Sequence, residues 1–183
     1  MEALVAGNSI LAELKEGFNK LLPCQIARLL EEIKVAERIF CVAAGRSGIL
    51  LNAFCMRLNQ LGLESYIAGN VPCPPVGKGD VIIAASGSGS TPSVNAILKR
   101  GKEAGARIIL LTAAPVENLA GIVDFAIDIQ APNGLVNKES PESRQLMRTL
   151  YEQTCFILYE SIVAVLSKDI PPEEIASRHT NLE

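Results

Sequence analysis

Short aliphatic runs alternate with helical patterns along this chain, and that alternation restricts the fold more than any other feature. Residues 38–43 (RIFCVA), 80–85 (DVIIAA), 107–112 (RIILLT) and 124–129 (DFAIDI) are brief, rich in Val, Ile or Leu, and flanked by turn residues. They read as buried strands. Residues 64–67 (ESYI) form a weaker fifth. Between the strands, residues 47–61 carry Leu51, Phe54, Leu58 and Leu61 at helical spacing, with Gly62 as the stop. Residues 91–104 open with Thr91 as a cap and Pro92 at the first helical position, and end before Gly105. Residues 144–167 form a long amphipathic stretch. Strand, helix and strand repeated in this way predict an α/β fold, with a five-stranded parallel sheet flanked by helices and right-handed crossovers.

The chain has 183 residues, which fits a single domain. Residues 1–36 read as a helical N-terminus, with Pro23 opening its second helix. Residues 37–168 are the α/β core, and 169–183 a tail in which Pro172 opens a short last helix. Residues 131–141 are polar, bounded by Pro, and expected to be a loop. Hydrophobic residues make up 49% of the chain and charged ones 20%, so a large core is expected and disorder is not. With aromatics at 4% and no Trp, that core must be aliphatic, as suits a parallel sheet covered on both faces.

Net charge is −3 and the Lys and Arg residues are scattered, so neither nucleic acid nor an anionic membrane is an expected partner. Cys24, Cys41, Cys55, Cys73 and Cys155 form no CxxC pair, and there is a single His, so no metal site is expected. Cys41 and Cys55 lie in apolar runs and read as buried thiols in a reducing compartment; Cys73 reads as an inert loop thiol. No signal-peptide pattern and no run long enough to span a bilayer is evident, and a cytosolic location is expected.

In parallel sheets of this kind ligands bind at the C-terminal strand ends, beside helix N-termini. Two loops are placed there. Ala44-Gly45-Arg46-Ser47-Gly48 follows the first strand, and Ser86-Gly87-Ser88-Gly89-Ser90-Thr91 follows the third. Glycines admit an anion to the backbone, hydroxyls donate hydrogen bonds, and the following helix presents free N–H groups and a partial positive charge. Either loop alone is an ordinary capped turn; together they favour an anion site. The G-x-G-x-x-G fingerprint and the Walker A pattern are missing, and the second strand ends in Ile67-Ala68-Gly69-Asn70 without a carboxylate for a ribose. No nucleotide or flavin cofactor is therefore expected, and a small phosphorylated metabolite remains.

The segments AAGRSG, GDVIIAASGSGST, SRQLMRTLYEQ and the C-terminal RHTNLE, in that order and spacing, resemble the 6-phospho-3-hexuloisomerases, enzymes built on a SIS (sugar isomerase) domain. The resemblance runs nearly end to end. It implies a metal-free interconversion of 3-hexulose 6-phosphate and fructose 6-phosphate through an enediol, in a tetramer with shared active sites. It further implies that Ser47, Ser86, Ser88 and Thr91 hold the phosphate; Gly45 and Arg46, in the loop after the first strand, are also expected to bind the substrate. Glu152 would be the general base and His179 would assist ring opening or proton transfer, from its own chain or a neighbour. The chemistry agrees: moving a carbonyl by one carbon needs a base for a carbon-bound proton, a group for the oxygen protons, and donors for the enediolate, for which Arg46 or backbone amides serve.

The sequence departs from the family pattern around the sugar. Ser90 stands where the family has Glu. Gln145-Leu146-Met147-Arg148 replaces Gln-Pro-Met-Gly, which should let the long helix begin earlier and puts a cation near the site. Gly69-Asn70-Val71-Pro72-Cys73-Pro74-Pro75 replaces a Thr-rich stretch. These changes leave open a paralogous isomerase of another ketose or aldose phosphate, or a SIS module that binds sugar phosphates without catalysis.

Overall fold

The computed structural model describes residues 1–131, 143 and 145–182, apart from the side chain of residue 118. The expected loop at 131–141 therefore lies outside the described residues except at its first position. So do residue 144 and the final Glu183.

Among the described residues five strands form one all-parallel sheet: β1 (Ile39–Ala43), β2 (Ser65–Ile67), β3 (Val81–Ala85), β4 (Arg107–Thr112) and β5 (Phe125–Asp128). Their spatial order is β2-β1-β3-β4-β5, so the chain reverses direction across the sheet between β1 and β3. Register follows the aliphatic runs, with Ile39 opposite Val81, Val81 opposite Arg107, and Ile109 opposite Phe125. Each predicted strand is present, within a residue of its expected ends.

Among the described residues six helices flank the sheet: α1 (Glu2–Asn19), α2 (Pro23–Val35), α3 (Gly45–Gln60), α4 (Pro92–Glu103), α5 (Thr149–Leu166) and α6 (Pro172–Ser177), with a 3-10 turn at Glu117–Leu119. Alternate strand residues feed two cores. On one face Ile39, Cys41, Ile83, Ile109, Leu111 and Ile127 pack with Leu29 and Ile33 of α2, Leu51, Phe54 and Leu58 of α3, and Leu158 and Ile162 of α5. On the other, Phe40, Val42, Ile82, Ala84, Ile108 and Leu110 meet Val94 and Leu98 of α4 and Leu119. Each such side chain, removed fully from water, contributes about 2 kcal/mol. Cys41 and Cys55 are buried free thiols.

Helix α5 differs from expectation. It begins at Thr149, not near residue 144, and loss of the family's Pro and Gly does not extend it. Met147 adopts a left-handed φ of 55°, a conformation no right-handed helix accommodates. Arg148 is still outside the helical region, at φ −105° and ψ 25°. The first helical bond runs from the Glu152 amide to the Arg148 carbonyl, at 3.0 Å. Nor is α5 cleanly two-faced: Leu150, Tyr151, Cys155, Leu158, Tyr159 and Ile162 are buried, while Ile157 and Val165 remain exposed on its outer side. Among the described residues no helix is long and apolar enough to cross a membrane.

Candidate active site

The two Gly/Ser loops lie side by side because β1 and β3 are adjacent. Gly45 turns the chain out of β1 with φ 60°, in the left-handed region where a side chain is costly. Gly48 follows because a Cβ there would lie 3.1 Å from the Ala43 carbonyl oxygen. The first amides of α3 have no partner within the helix and face the strand end. After β3, the Gly89 amide donates to the Ser86 carbonyl at 2.9 Å, with Gly89 at φ 62°. Pro92 takes the first position of α4, as expected. Thr91 precedes it but caps no helix amide. Its hydroxyl is instead 2.8 Å from that of Ser86, so the pair closes the loop on itself.

The third wall comes from the start of α5. Tyr151 is buried, and its hydroxyl donates to the Leu111 carbonyl at 2.9 Å. Burial pushes its phenol well above the usual tyrosine range, so it acts as a neutral donor. This bond pins the first turn of α5 against β4. Glu152, the next residue, is then held over the loop after β1. Its side chain is 14% exposed. Arg46 Nη1 donates to Glu152 Oε2 at 2.6 Å and to Thr149 Oγ1 at 3.0 Å. The Ser47 hydroxyl donates to Glu152 Oε1 at a long 3.5 Å.

These walls enclose a cavity of about 510 Å³, lined by Gly45, Arg46, Ser47, Ser86, Thr91 and Glu152 together with Gly87, Arg148 and Thr149. A volume of this size suits a sugar phosphate. Two of the residues singled out in the sequence are placed elsewhere. Ser88 does not line the cavity; its half-buried hydroxyl accepts from the Ser90 amide at 3.3 Å. His179 is exposed beyond α6, its Nδ1 2.9 Å from the Thr180 carbonyl oxygen. It borders a separate depression with Asn52, Cys55, Asn59, Tyr66 and Arg178.

Thr149 was not foreseen, nor was the particular part that Gly87 plays within the loop after β3. Thr149 carries a legible signal, because it stands three residues before Glu152 and so on the same helix face. Gly87 gives none: its role is to leave space, since a Cβ there would lie 3.0 Å from Arg148 Cδ and 3.1 Å from Tyr151 Cδ1. Sequence alone does not reveal which side chains cross above a glycine.

The parallel sheet, the paired strand-end loops and a carboxylate facing them define a SIS domain. A SIS-domain family model matches residues 32–155, and the chain belongs to that family. Within it, the chain is 36% identical over 173 residues to a 3-hexulose-6-phosphate isomerase from Mycobacterium gastri, covering 93% of this chain and 86% of the relative. It is 30% identical over 158 residues to a 3-hexulose-6-phosphate isomerase from Bacillus subtilis, covering 85% of each. The crystal structure of a hypothetical protein from Methanococcus jannaschii, inferred to be a 3-hexulose-6-phosphate isomerase, superposes with a TM-score of 0.79 at 31% identity. That match covers the whole of both chains.

Proposed function

We propose that this protein is a sugar-phosphate isomerase that interconverts 3-hexulose 6-phosphate and fructose 6-phosphate. One observation carries the reading: Glu152 faces the same cavity as two adjacent strand-end loops suited to an anion. The relatives named above, which resemble the chain over most of its length, favour the same reaction.

The phosphoryl group rests on the Ser47, Ser86 and Thr91 hydroxyls and on the first amides of α3 and α4. Arg46 orients Glu152 through Oε2. The carboxylate removes the proton from C2 of the 3-ketose, the electrons form a C2–C3 enediol, and the proton returns to C3 as the carbonyl forms at C2. Arg46 and neighbouring amides stabilise charge on the enediolate oxygens. Transfer of the oxygen protons falls to His179. Because His179 borders a different depression of its own chain, we assign it to the cavity of a neighbouring copy. This requires a homo-oligomer, for which a tetramer is the proposed form. The apolar residues Leu4, Val5 and Leu11, exposed along α1, offer it a contact surface. The reading needs neither a metal nor a cofactor, and it places the enzyme in the cytosol.

Incubation with fructose 6-phosphate in heavy water tests the reaction. Deuterium bound to carbon in recovered sugar, followed by NMR, is the expected result. Tight binding with no exchange would make this a sugar-phosphate-binding module instead.

A further inference from the structure

The loop from Ser86 to Thr91 contains no charged residue. A sugar's phosphoryl group is close to a dianion at neutral pH, and hydroxyls with two helix N-termini, each equivalent to about half a positive charge, would leave part of that charge uncompensated in a half-enclosed cavity. Among the described residues two cations line the cavity, Arg46 and Arg148. Arg46 is engaged by Glu152 at 2.6 Å and by Thr149 at 3.0 Å. Arg148 is half-buried and, among the described residues, takes part in none of the ion pairs.

Its placement is specific. Arg148 Cδ lies 3.0 Å from where a Gly87 Cβ would stand, beside the Tyr151 ring. That ring is fixed by its bond to the Leu111 carbonyl. The stem therefore crosses the loop at Gly87, and the guanidinium begins one bond further on. Gly87 leaves the room that this crossing needs. A guanidinium there offers a planar fork of donors in the cavity that Ser86 and Thr91 also line, a group suited to two phosphoryl oxygens at once.

We propose that Arg148 binds the phosphoryl group and so selects phosphorylated over unphosphorylated sugars. The family resemblance assigns no role to this position, where its members usually carry Gly. The proposal deepens the isomerase reading and rests on it for the identity of the sugar, though not for the binding of phosphate.

The test titrates inorganic phosphate and fructose 6-phosphate into the full chain by calorimetry, comparing wild type with Arg148→Met, Arg148→Lys and Arg148→Gln. Met keeps the stem over Gly87 and removes the charge; Lys keeps the charge without the fork. Arg100→Ala, which removes an exposed cation from the end of α4, controls for net charge. Both ligands should bind about tenfold or more weakly to the Met and Gln variants. Lys should recover much of the loss, and Arg100→Ala should bind as wild type. In turnover, KM should rise more than kcat falls, and the affinity of wild type should decline more steeply with salt than that of the Met variant.

Either neutral variant binding inorganic phosphate as tightly as wild type overturns the proposal, as does a wild type that binds neither ligand. The two readings separate cleanly. Phosphate binding lost on removing Arg148, in a protein that exchanges no deuterium into fructose 6-phosphate, upholds Arg148 and ends the isomerase assignment. Exchange that persists with undiminished phosphate affinity does the reverse.

Discussion

The two ends of the sheet use charge in opposite ways. At the N-terminal strand ends, acids and bases are matched to one another. Asp80 is fully buried and accepts from Arg38 Nη2 at 2.7 Å, from Arg38 Nε at 3.0 Å and from the Gly77 amide at 2.7 Å. Asp124 accepts from Lys102 at 2.6 Å and from the Ile108 amide at 2.8 Å, and Arg107 meets Glu32 at 2.7 Å. A cavity of about 370 Å³ lies among these pairs, yet its charges already have partners within the chain. At the C-terminal ends, among the described residues, one carboxylate, Glu152, faces two arginines and a run of hydroxyls. The polar end without internal balance is the one prepared for a ligand; the balanced end supports the fold. The cavity at the C-terminal ends is also the larger, but completeness of pairing is what sets the two apart.

Substitutions at the two ends should therefore fail differently. The largest effect belongs to Glu152→Gln. It keeps an acceptor for Arg46 and removes the base, so kcat should fall about a thousandfold while calorimetry finds fructose 6-phosphate bound at least as tightly. The variant also tests the placement of His179. When Glu152→Gln and His179→Ala are dissociated, mixed and reassembled, some sites draw an intact Glu152 from one parent and an intact His179 from the other. Activity above that of both parents is expected. A mixture no more active than its parents would mean that His179 serves its own chain or has no part in turnover. A fully active Glu152→Gln enzyme would erase the contrast between the ends.

At the opposite end, Asp80→Ala should cost about 3 kcal/mol of stability, because it strips a buried anion from a guanidinium and an amide that have no ready substitute. Chemical denaturation measures this. Enough folded protein should remain to show near-normal KM and kcat. A stable Asp80→Ala protein with impaired turnover would show instead that the lower charges serve the reaction.

The same contrast governs what could be read in the sequence. Strands such as residues 107–112, RIILLT, were legible because a strand buried on both faces announces itself in consecutive aliphatic residues. The loops after β1 and β3 were legible because glycines and hydroxyls cluster there. Local pattern failed where a distant contact decides. Thr91 reads as a helix cap, but its hydroxyl turns to Ser86. The helix expected from residue 144 starts at Thr149, after the left-handed turn at Met147. The Arg46–Glu152 pair spans 106 positions, and no periodicity encodes that. Glu152 stood out only through the family resemblance. The same resemblance favoured Ser88, which the structure sets outside the cavity, and gave no role to Arg148, which it sets inside.

Acid should separate the ends more gently, through Asp124. Burial by itself would raise the Asp124 carboxyl, but Lys102, the Ile108 amide and Arg107 together outweigh it and hold the group below its ordinary value. A carboxyl lowered by folding contributes stability above its unfolded value of about 3.9, and that contribution disappears as pH falls through the lower folded value. Asp124→Asn retains an acceptor for the Ile108 amide but does not titrate. Wild type should therefore be the more stable of the two at pH 6, and thermal melts should show the gap narrowing below about pH 4. The effect should be the smallest of the three, because a partly solvated pair is weakened by water and salt. A gap that stays constant down to pH 2 would mean that Asp124 acts through hydrogen bonding and shape alone, leaving Asp80 as the charge that secures the lower end of the sheet.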